Sequence, residues 1–163
     1  EESQLNGVLF TKTEMDKLGL KTEIIEKCMV MLQEKFKIHE AEMKEAQNAA
    51  NEAGPPKDRY DPYRSQMLRK RNLLAEQCQQ VLDDLEILKK INPVVNDKVM
   101  FGSVVITNLH RLFIAVPLGK VEVQNEVYHV ISVHTPLFET LKNKKAGDTV
   151  IFNQNKILIA DVF

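Results

Sequence analysis

The sequence predicts an α+β fold, in which an antiparallel α-helical coiled-coil hairpin is followed by an antiparallel sheet domain with one short helix. Two stretches with heptad spacing predict the hairpin, and a turn with two adjacent prolines between them predicts its tip. Segments rich in β-branched residues predict the sheet. These patterns divide the chain into a lead-in over 1–20, the hairpin over 21–92 with its tip at 54–62, and the sheet domain over 93–163.

The first arm of the hairpin is predicted from mainly apolar residues that follow one another at alternating intervals of four and three. These seam residues are Ile25, Met29, Leu32, Phe36, His39, Met43, Ala46, Ala50 and Ala53. His39 is the one poor core candidate, and we expect it to be half-buried and paired with a polar group near Gln77 of the second arm. The seam ends in alanines, so the two arms are expected to taper toward the tip.

The second arm repeats this spacing, with Arg71 as its one interruption. Its seam residues are Met67, Arg71, Leu74, Cys78, Val81, Leu85 and Leu88. Gly54-Pro55-Pro56 cannot continue a helix, and Asp61-Pro62 is typical of a helix N-cap followed by proline at the first helical position. A connection this short requires the arms to run antiparallel, with about 33 residues and roughly 50 Å of helix in each.

The sheet domain is predicted from short β-branched segments that are separated by turn residues. The predicted strands cover 104–107, 112–116, 127–133, 150–152 and 157–159. Thr135-Pro136 followed by Leu137, Phe138 and Leu141 is typical of a capped short helix, and we expect this helix to pack on the sheet.

The composition excludes several classes of protein. The 163 residues are 28% charged and 44% hydrophobic, which suits a globular chain with a real core. A formal net charge of −1 gives no general reason for tight binding to nucleic acid or membrane, although Arg64, Arg69, Lys70 and Arg71 form a local basic cluster. No apolar run approaches the roughly 20 residues that span a bilayer, and the start has no signal pattern, so we expect a cytoplasmic protein without a membrane partner.

Cysteine and histidine residues give no sign of a metal centre or a disulfide. The hairpin pairing does not place Cys28 opposite Cys78, so two free buried thiols are expected. His110, His129 and His134 do not have ligand spacing. With no phosphate-binding loop and no nucleophile motif, we expect no self-contained catalytic site.

Two segments of the sheet domain resemble the bacterial Gre transcript-cleavage factors. Ile131 to Leu137, then Leu141, then Lys144 to Val150 are similar to the family's C-terminal signature of a strand, a capped helix start and a Gly-Asp turn. Val99 to Val105 resembles the strand that opens that domain, and the hairpin occupies the place of the Gre coiled coil. The resemblance implies an FKBP-like C-terminal domain that docks on RNA polymerase at its secondary channel, with the coiled coil inserted toward the active centre.

The resemblance also implies which residues act. Asp58 and Asp61 match the acidic pair with which Gre factors help the polymerase hold a catalytic Mg²⁺, so cleavage of backtracked RNA would be the polymerase's own activity and this chain would not be an enzyme. No cofactor is expected to bind stably, since Mg²⁺ would be shared with the polymerase active site. A partial ligand set suits Mg²⁺, which needs only one or two protein carboxylates beside water and phosphate.

Other candidate residues surround this pair or lie on the sheet domain. Glu52, Tyr60 and Tyr63 are candidates for support of the tip. The candidates for contact with nascent RNA or polymerase are Arg59, Arg64, Arg69 and Lys70. The candidates for docking on core RNA polymerase are Thr135, Pro136, Lys144 and Lys145. We expect the chain to act as a monomer and to contact the RNA only indirectly.

The tip departs from the family pattern, which leaves alternatives open. Its second acid is Asp61 instead of glutamate, and Pro62-Tyr63-Arg64 follows where Gre factors have Asn-Ala-Glu-Tyr. A channel-binding inhibitor or regulator without cleavage stimulation therefore remains an alternative. Acids beside prolines also serve as solvated turn formers and helix caps. Two less favoured classes are an FKBP-like peptide-binding chaperone, which requires an aromatic-lined cavity, and a coiled-coil adaptor.

Overall fold

The computed structural model describes residues 2–5, 8–55 and 62–163, with side chains from residue 12 onward. Its elements are β1 (Glu2–Leu5), β2 (Val8–Thr11), α1 (Lys12–Ala53), α2 (Tyr63–Lys89), β3 (Val104–Thr107), β4 (Arg111–Ala115), β5 (Gly119–Val123), β6 (Glu126–Ser132), α3 (Pro136–Leu141), β7 (Thr149–Phe152) and β8 (Asn155–Val162). This is the predicted α+β order of a helical hairpin followed by a sheet with one short helix. Across the described ranges, no helix is both long and apolar enough to cross a membrane.

The chain divides into two compact units. The hairpin unit comprises Met29–Glu86, and the sheet unit comprises Glu1–Cys28 together with Ile87–Phe163. The helix α1 begins at Lys12. The sequence had predicted a lead-in up to residue 20, so the helix begins earlier than expected. Before it, β1 and β2 pair antiparallel with Glu2 opposite Thr11, a pairing that the sequence did not predict.

In the hairpin unit α1 and α2 run antiparallel, as predicted. The facing pairs are Lys35 with Asp84, Glu40 with Cys78, and Gln47 with Arg71. Residue numbers rise along α1 as they fall along α2, which defines the direction. Every residue of the two predicted seams is buried or half-buried, including His39. The helices have 42 and 27 residues, and α1 is the longer because its start, up to Cys28, belongs to the sheet unit.

The ends of the arms have the local chemistry that the sequence indicates. Gly54 follows α1 with φ +64°, a left-handed conformation that glycine adopts without strain, and its N–H donates to the Asn51 carbonyl at 3.2 Å. The first helical hydrogen bond of α2 runs from the Gln66 N–H to the Pro62 carbonyl at 2.8 Å. The predicted N-cap, Asp61, lies outside the described residues.

The six strands β3 to β8 form a single sheet in the order β5-β6-β4-β3-β8-β7. The sheet is mostly antiparallel, as predicted, and the one exception among its neighbouring strands is the parallel pair β4 and β6. The strands β4 and β6 are parallel because β5, a strand that the sequence did not predict, lies between them in the chain. It lies at the edge of the sheet and pairs with β6 through a tight turn at Gln124 and Asn125, whose φ angles are 53° and 63°. The chain thus reverses twice between β4 and β6.

One face of the sheet packs against α3. Its core residues are Val99, Val105, Leu112, Ile114, Phe138, Leu141, Val150, Ile157, Ile159 and Val162. Phe138 and Leu141 come from α3, whose packing on the sheet was predicted. Because side chains alternate between the faces of a strand, Val104, Phe113 and Val130 belong to the opposite face, and they are also buried.

The start of α1 belongs to the sheet unit and contacts its strands. Lys17 pairs with Asp161 at 3.0 Å and lies over the ring of Phe163, with its Nζ 5.5 Å from the ring centroid. Glu23 accepts a hydrogen bond from the Gln124 side chain at 2.7 Å. Residues 12–28 thus belong to the sheet unit, whereas the sequence divided them between the lead-in up to residue 20 and the first hairpin arm.

Both cysteines are free and buried, as predicted. Burial raises the pKa of the Cys28 thiol to about 12, and burial together with the negative charge of Glu40 raises the pKa of Cys78. Both thiols are therefore held in the protonated form, which is the less reactive one.

Candidate functional site

The predicted tip acids lie outside the described residues. Asp58 and Asp61, with Arg59 and Tyr60 between them, fall in the gap between 55 and 62. Their fit to a shared Mg²⁺ therefore stays a prediction. The structure does describe the two helix ends that carry this segment, Ala53 on one side and Tyr63 on the other.

The flanks of the tip are exposed and mainly cationic on the second arm. Glu52 is exposed at the end of α1, and Arg64, Arg69 and Lys70 are exposed on α2. The first turn of α2 contains Arg64 and no acidic residue. A cation there opposes the helix dipole, at a cost of roughly 0.3–1 kcal/mol. The positive charge of Arg64 therefore does not stabilise the helix. Its side chain is exposed and accessible to a binding partner.

Tyr63, the predicted support of the tip, is the first residue of α2, and 48% of its surface is exposed. A tyrosine combines an apolar ring with a polar hydroxyl, and both groups suit contact with a binding partner. The structure therefore places the described candidates of this end, Glu52, Tyr63 and Arg64, on accessible positions beside the connection.

A polar network crosses the seam behind these residues. The Arg71 Nη1 donates to Oε1 of Gln47 at 2.5 Å, and the Gln47 Nε2 donates to Oδ1 of Asn51 at 2.8 Å. The Arg71 Nε also donates to the side chain of Asn72 at 3.0 Å. The one seam position of the second arm that the sequence marked as an interruption thus forms a hydrogen bond between the arms.

A second polar feature of the hairpin unit is an open groove of about 290 Å³, lined by Lys35, His39, Gln77, Gln80, Val81 and Asp84. The predicted proximity of His39 to Gln77 is confirmed, but the predicted pairing with a polar group is not found at the Nδ1 atom among the described residues. The His39 Nδ1 is buried without a hydrogen-bond partner among the described residues, because Oε2 of Glu42 is 3.9 Å away. Burial raises the pKa of Asp84, while a hydrogen bond from Gln80 and the charge of Lys35 oppose that rise.

Within the described ranges, no group of three or more histidine, cysteine or acidic side chains is arranged to hold a metal ion. Two of the histidines that lack ligand spacing do meet in the folded chain. The rings of His110 and His129 contact edge to face with their centroids 4.9 Å apart. Burial, followed by the charges of His110 and Lys120, lowers the pKa of His129.

The start of α3 is built as predicted. The Thr135 hydroxyl accepts a hydrogen bond from the Phe138 N–H at 3.3 Å and donates to the Ser132 carbonyl at 3.0 Å. Pro136 is the first residue of the helix, where its missing N–H has no helical partner to lose, and it is exposed. The cap thus accounts for the threonine, and the proline ring is accessible on the surface.

The Gly-Asp turn before β7 also has a local explanation. Gly147 has φ +92°, and its N–H donates to the Ile159 carbonyl at 2.7 Å. The Asp148 carboxylate accepts a hydrogen bond from the Lys145 N–H at 2.8 Å. These roles are structural, but the side chains of Lys144 and Lys145 are exposed and are not required by the turn.

Near α3 the sheet unit has a groove of about 230 Å³ that sequence reasoning missed. Its apolar lining includes Leu109, Leu137, Phe152 and Ile157. The one signal in the sequence was Leu109, an apolar residue within the polar turn Asn108 to His110, and 48% of its surface is exposed. Because Leu137 follows the Thr135-Pro136 cap, this groove borders the predicted docking residues.

No family model and no curated protein match the sequence. Two solved structures are similar to 83% of the chain: the transcription factor Gfh1, and GreA factor homolog 1 (Gfh1) of Thermus thermophilus. The first has 14% identity, a TM-score of 0.35 and 93% of its own length covered. The second has 14% identity, a TM-score of 0.31 and 94% of its length covered. Similarity at this level carries no argument about function, so membership of the Gre family stays a prediction.

Proposed function

We propose that this chain is a transcription elongation factor that binds core RNA polymerase in its secondary channel and acts on backtracked complexes through Asp58 and Asp61. The observation that carries the proposal is the Gre-like sequence from Ile131 to Val150. Its Thr-Pro helix start and its Gly-Asp turn form the cap and the left-handed turn that the pattern requires. The antiparallel hairpin that precedes it supports the same proposal.

In this mechanism the chain supplies an incomplete ligand set and the polymerase supplies the rest. Mg²⁺ would provide the charge that activates water and stabilises the transferred phosphate. The carboxylates of Asp58 and Asp61 would complete its shell only beside the polymerase's own ligands. Arg64, Arg69 and Lys70 are exposed on α2 and would meet RNA phosphates or acidic polymerase surfaces. The chain would remain a modulator, because the chemistry belongs to the polymerase.

The tip is tested with Asp58→Asn and Asp61→Asn in stalled elongation complexes. A carboxamide keeps the shape of the side chain but loses the charge that a hard cation requires. We expect each substitution to abolish stimulation of RNA cleavage and to leave affinity for polymerase nearly unchanged. Glu45→Gln, which removes an exposed acid of α1 away from the tip, is the matched control. If both tip variants still stimulate RNA cleavage, Asp58 and Asp61 serve only to form the turn.

Docking is tested separately, with the double variant Lys144→Glu/Lys145→Glu. If these exposed lysines contact polymerase, reversal of their charge weakens binding by about tenfold or more, equivalent to at least about 1.4 kcal/mol. Lys156→Glu is the control because this lysine is also exposed in the sheet unit. Equal affinity of the docking and control variants would exclude this turn from the interface.

The inhibitor alternative is favoured by one specific observation. Asp61 has one methylene less than the glutamate of the family pattern, so its carboxylate reaches less far. A chain that occupies the channel and suppresses cleavage in the assay above would be an inhibitor. The peptide-binding alternative requires an aromatic-lined cavity, and the groove beside α3 contains only one phenylalanine, Phe152.

A further inference from the structure

We infer that Arg71 is a positioning residue: with Gln47 it holds the ends of the two arms at one separation and register, and so sets where the tip is presented. The inference rests on the proposed function for the importance of the tip. The contact itself is described by the structure. It lies less than two helical turns from the end of α1 and a little over two turns from the start of α2.

The apolar seam is weakest where this contact occurs. Toward the tip α1 contributes only Ala46, Ala50 and Ala53, whereas the seam at the other end includes Leu32 and Leu85. Three identical small side chains offer little area to bury. They also distinguish poorly between registers. When α1 shifts along α2 by one helical turn, one alanine replaces another opposite the same residue of α2. Apolar packing alone therefore leaves the ends of the arms loosely specified.

The Arg71 contact provides the missing specificity. Arg71 is half-buried at a seam position, and its guanidinium donates across the interface to Gln47, which in turn donates to Asn51. Placing a charged group in a seam carries a desolvation penalty that leucine would not incur. Polar seam residues are best attested as devices that select one register at the expense of stability. Arg71 and Gln47 fit this role.

The first measurement is the distance between spin labels on the two arms of the full-length chain. The labels are placed on cysteines that replace the exposed residues Asn48 and Ser65, with Cys28 and Cys78 replaced by alanine in every protein compared. We expect one narrow distance for the parent protein and for Arg71→Lys, which keeps a donor. Arg71→Leu and Gln47→Leu should lose this single distance and show a broad or double distribution.

One further variant and one further measurement distinguish positioning from ordinary stabilisation. The exchange variant Gln47→Arg/Arg71→Gln restores a donor and an acceptor across the seam, and we expect it to recover the narrow distance. The denaturant midpoint of Arg71→Leu should not fall, since leucine suits a seam, even though its arm ends are no longer held. A fall in midpoint with an unchanged distance would assign Arg71 a merely structural role and overturn the inference.

The second measurement is RNA cleavage in backtracked complexes. We expect Arg71→Leu to reduce the effect of the chain by about tenfold or more, because misplacement by about 1 Å costs up to roughly 100-fold, with polymerase affinity unchanged. A broadened distance with undiminished action would overturn the positioning role. If the parent chain itself has no effect on polymerase, the proposed function fails, and the distances alone decide whether Arg71 and Gln47 hold the arms.

Discussion

Lys21 is the residue whose burial is hardest to reconcile with its charge. It is 0% exposed on α1, and its Nζ donates to the Val94 carbonyl at 2.6 Å. Desolvation by burial lowers the pKa of this ammonium group from 10.5 to about 8. A buried amine with one backbone partner costs stability while it is charged. The hydrogen bond fixes the segment after α2 to α1 within the sheet unit.

The lowered pKa of Lys21 predicts a specific dependence of stability on pH. Between about 8 and 10.5 the unfolded chain keeps a proton that the folded chain has released. Because the unfolded state then binds more protons at this group, the contribution of Lys21 to the free energy of unfolding rises with pH through this window, by up to about 3 kcal/mol. Below the folded pKa both states are protonated and this contribution is constant.

Urea denaturation at about pH 7 and about pH 10.5 measures this rise, and substitution isolates the contribution of Lys21. We expect Lys21→Met to lose the rise, whereas Lys27→Met, which replaces an exposed lysine of the same helix, keeps it. The raised pKa values of Cys28 and Cys78 lower the free energy of unfolding as the pH rises over the same range. Because the parent chain and both variants contain these cysteines, their effect cancels when the variants are compared with the parent. A rise of the same size in Lys21→Met and the parent chain would contradict the assignment.

At the scale of elements, the hairpin depends on a narrow seam. Leu74 is 6% exposed within it, while the adjacent Leu73 is 55% exposed. The two neighbours have the same side chain and the same helical backbone, so they differ only in packing. They form a matched pair for measuring what the seam contributes.

Leu74→Ala should destabilise the chain by about 2–5 kcal/mol, the usual range for a buried leucine, because it removes apolar area and leaves a cavity. Leu73→Ala should change stability by no more than about 0.5 kcal/mol. Helicity at 222 nm during denaturation reports the transition, since α1 and α2 contribute most of the helix. Similar losses for both variants would mean that the interface between the arms lies elsewhere on α2.

For the whole molecule, the sheet unit is not a continuous segment of the chain. Lys17 and Glu23 of α1 contact Asp161 and Gln124, and a Cβ at Gly102 would be 3.2 Å from the Ile91 side chain. Removal of residues before 93 therefore takes away part of the packing on one face of the sheet. We expect this loss to expose hydrophobic positions that are buried in the intact sheet unit.

We therefore expect a fragment of residues 93–163 to bind a hydrophobic dye and to unfold without a sharp transition. A protein in which residues 1–28 are joined to 87–163 by a flexible linker should unfold cooperatively and bind little dye, because it contains the whole sheet unit. This joined protein is also the proper competitor in polymerase-binding assays. Cooperative unfolding of the 93–163 fragment would show that the start of α1 is dispensable.

Local patterns in the sequence determined the hairpin and the small structural motifs. The spacing from Ile25 to Ala53 predicts the buried face of α1, since side chains three and four apart share a side of a helix. Thr135-Pro136 predicts the capped start of α3, and Gly147 predicts a turn with positive φ. Each of these depends on neighbours in the chain, so a single sequence reveals it. The tip acids are also named by the sequence, although their geometry stays a prediction.

Only the tertiary structure decided which segments pack together. The strand β5 contains just two buried residues, Val121 and Val123, so its pattern was too weak to predict it and the parallel pairing that it imposes on β4 and β6. The burial of Lys21 and the meeting of Arg71 with Gln47 also join residues far apart in sequence. Hydrophobic periodicity indicates which side of an element is buried, but its partner and direction depend on non-local packing and hydrogen bonds that the periodicity does not contain.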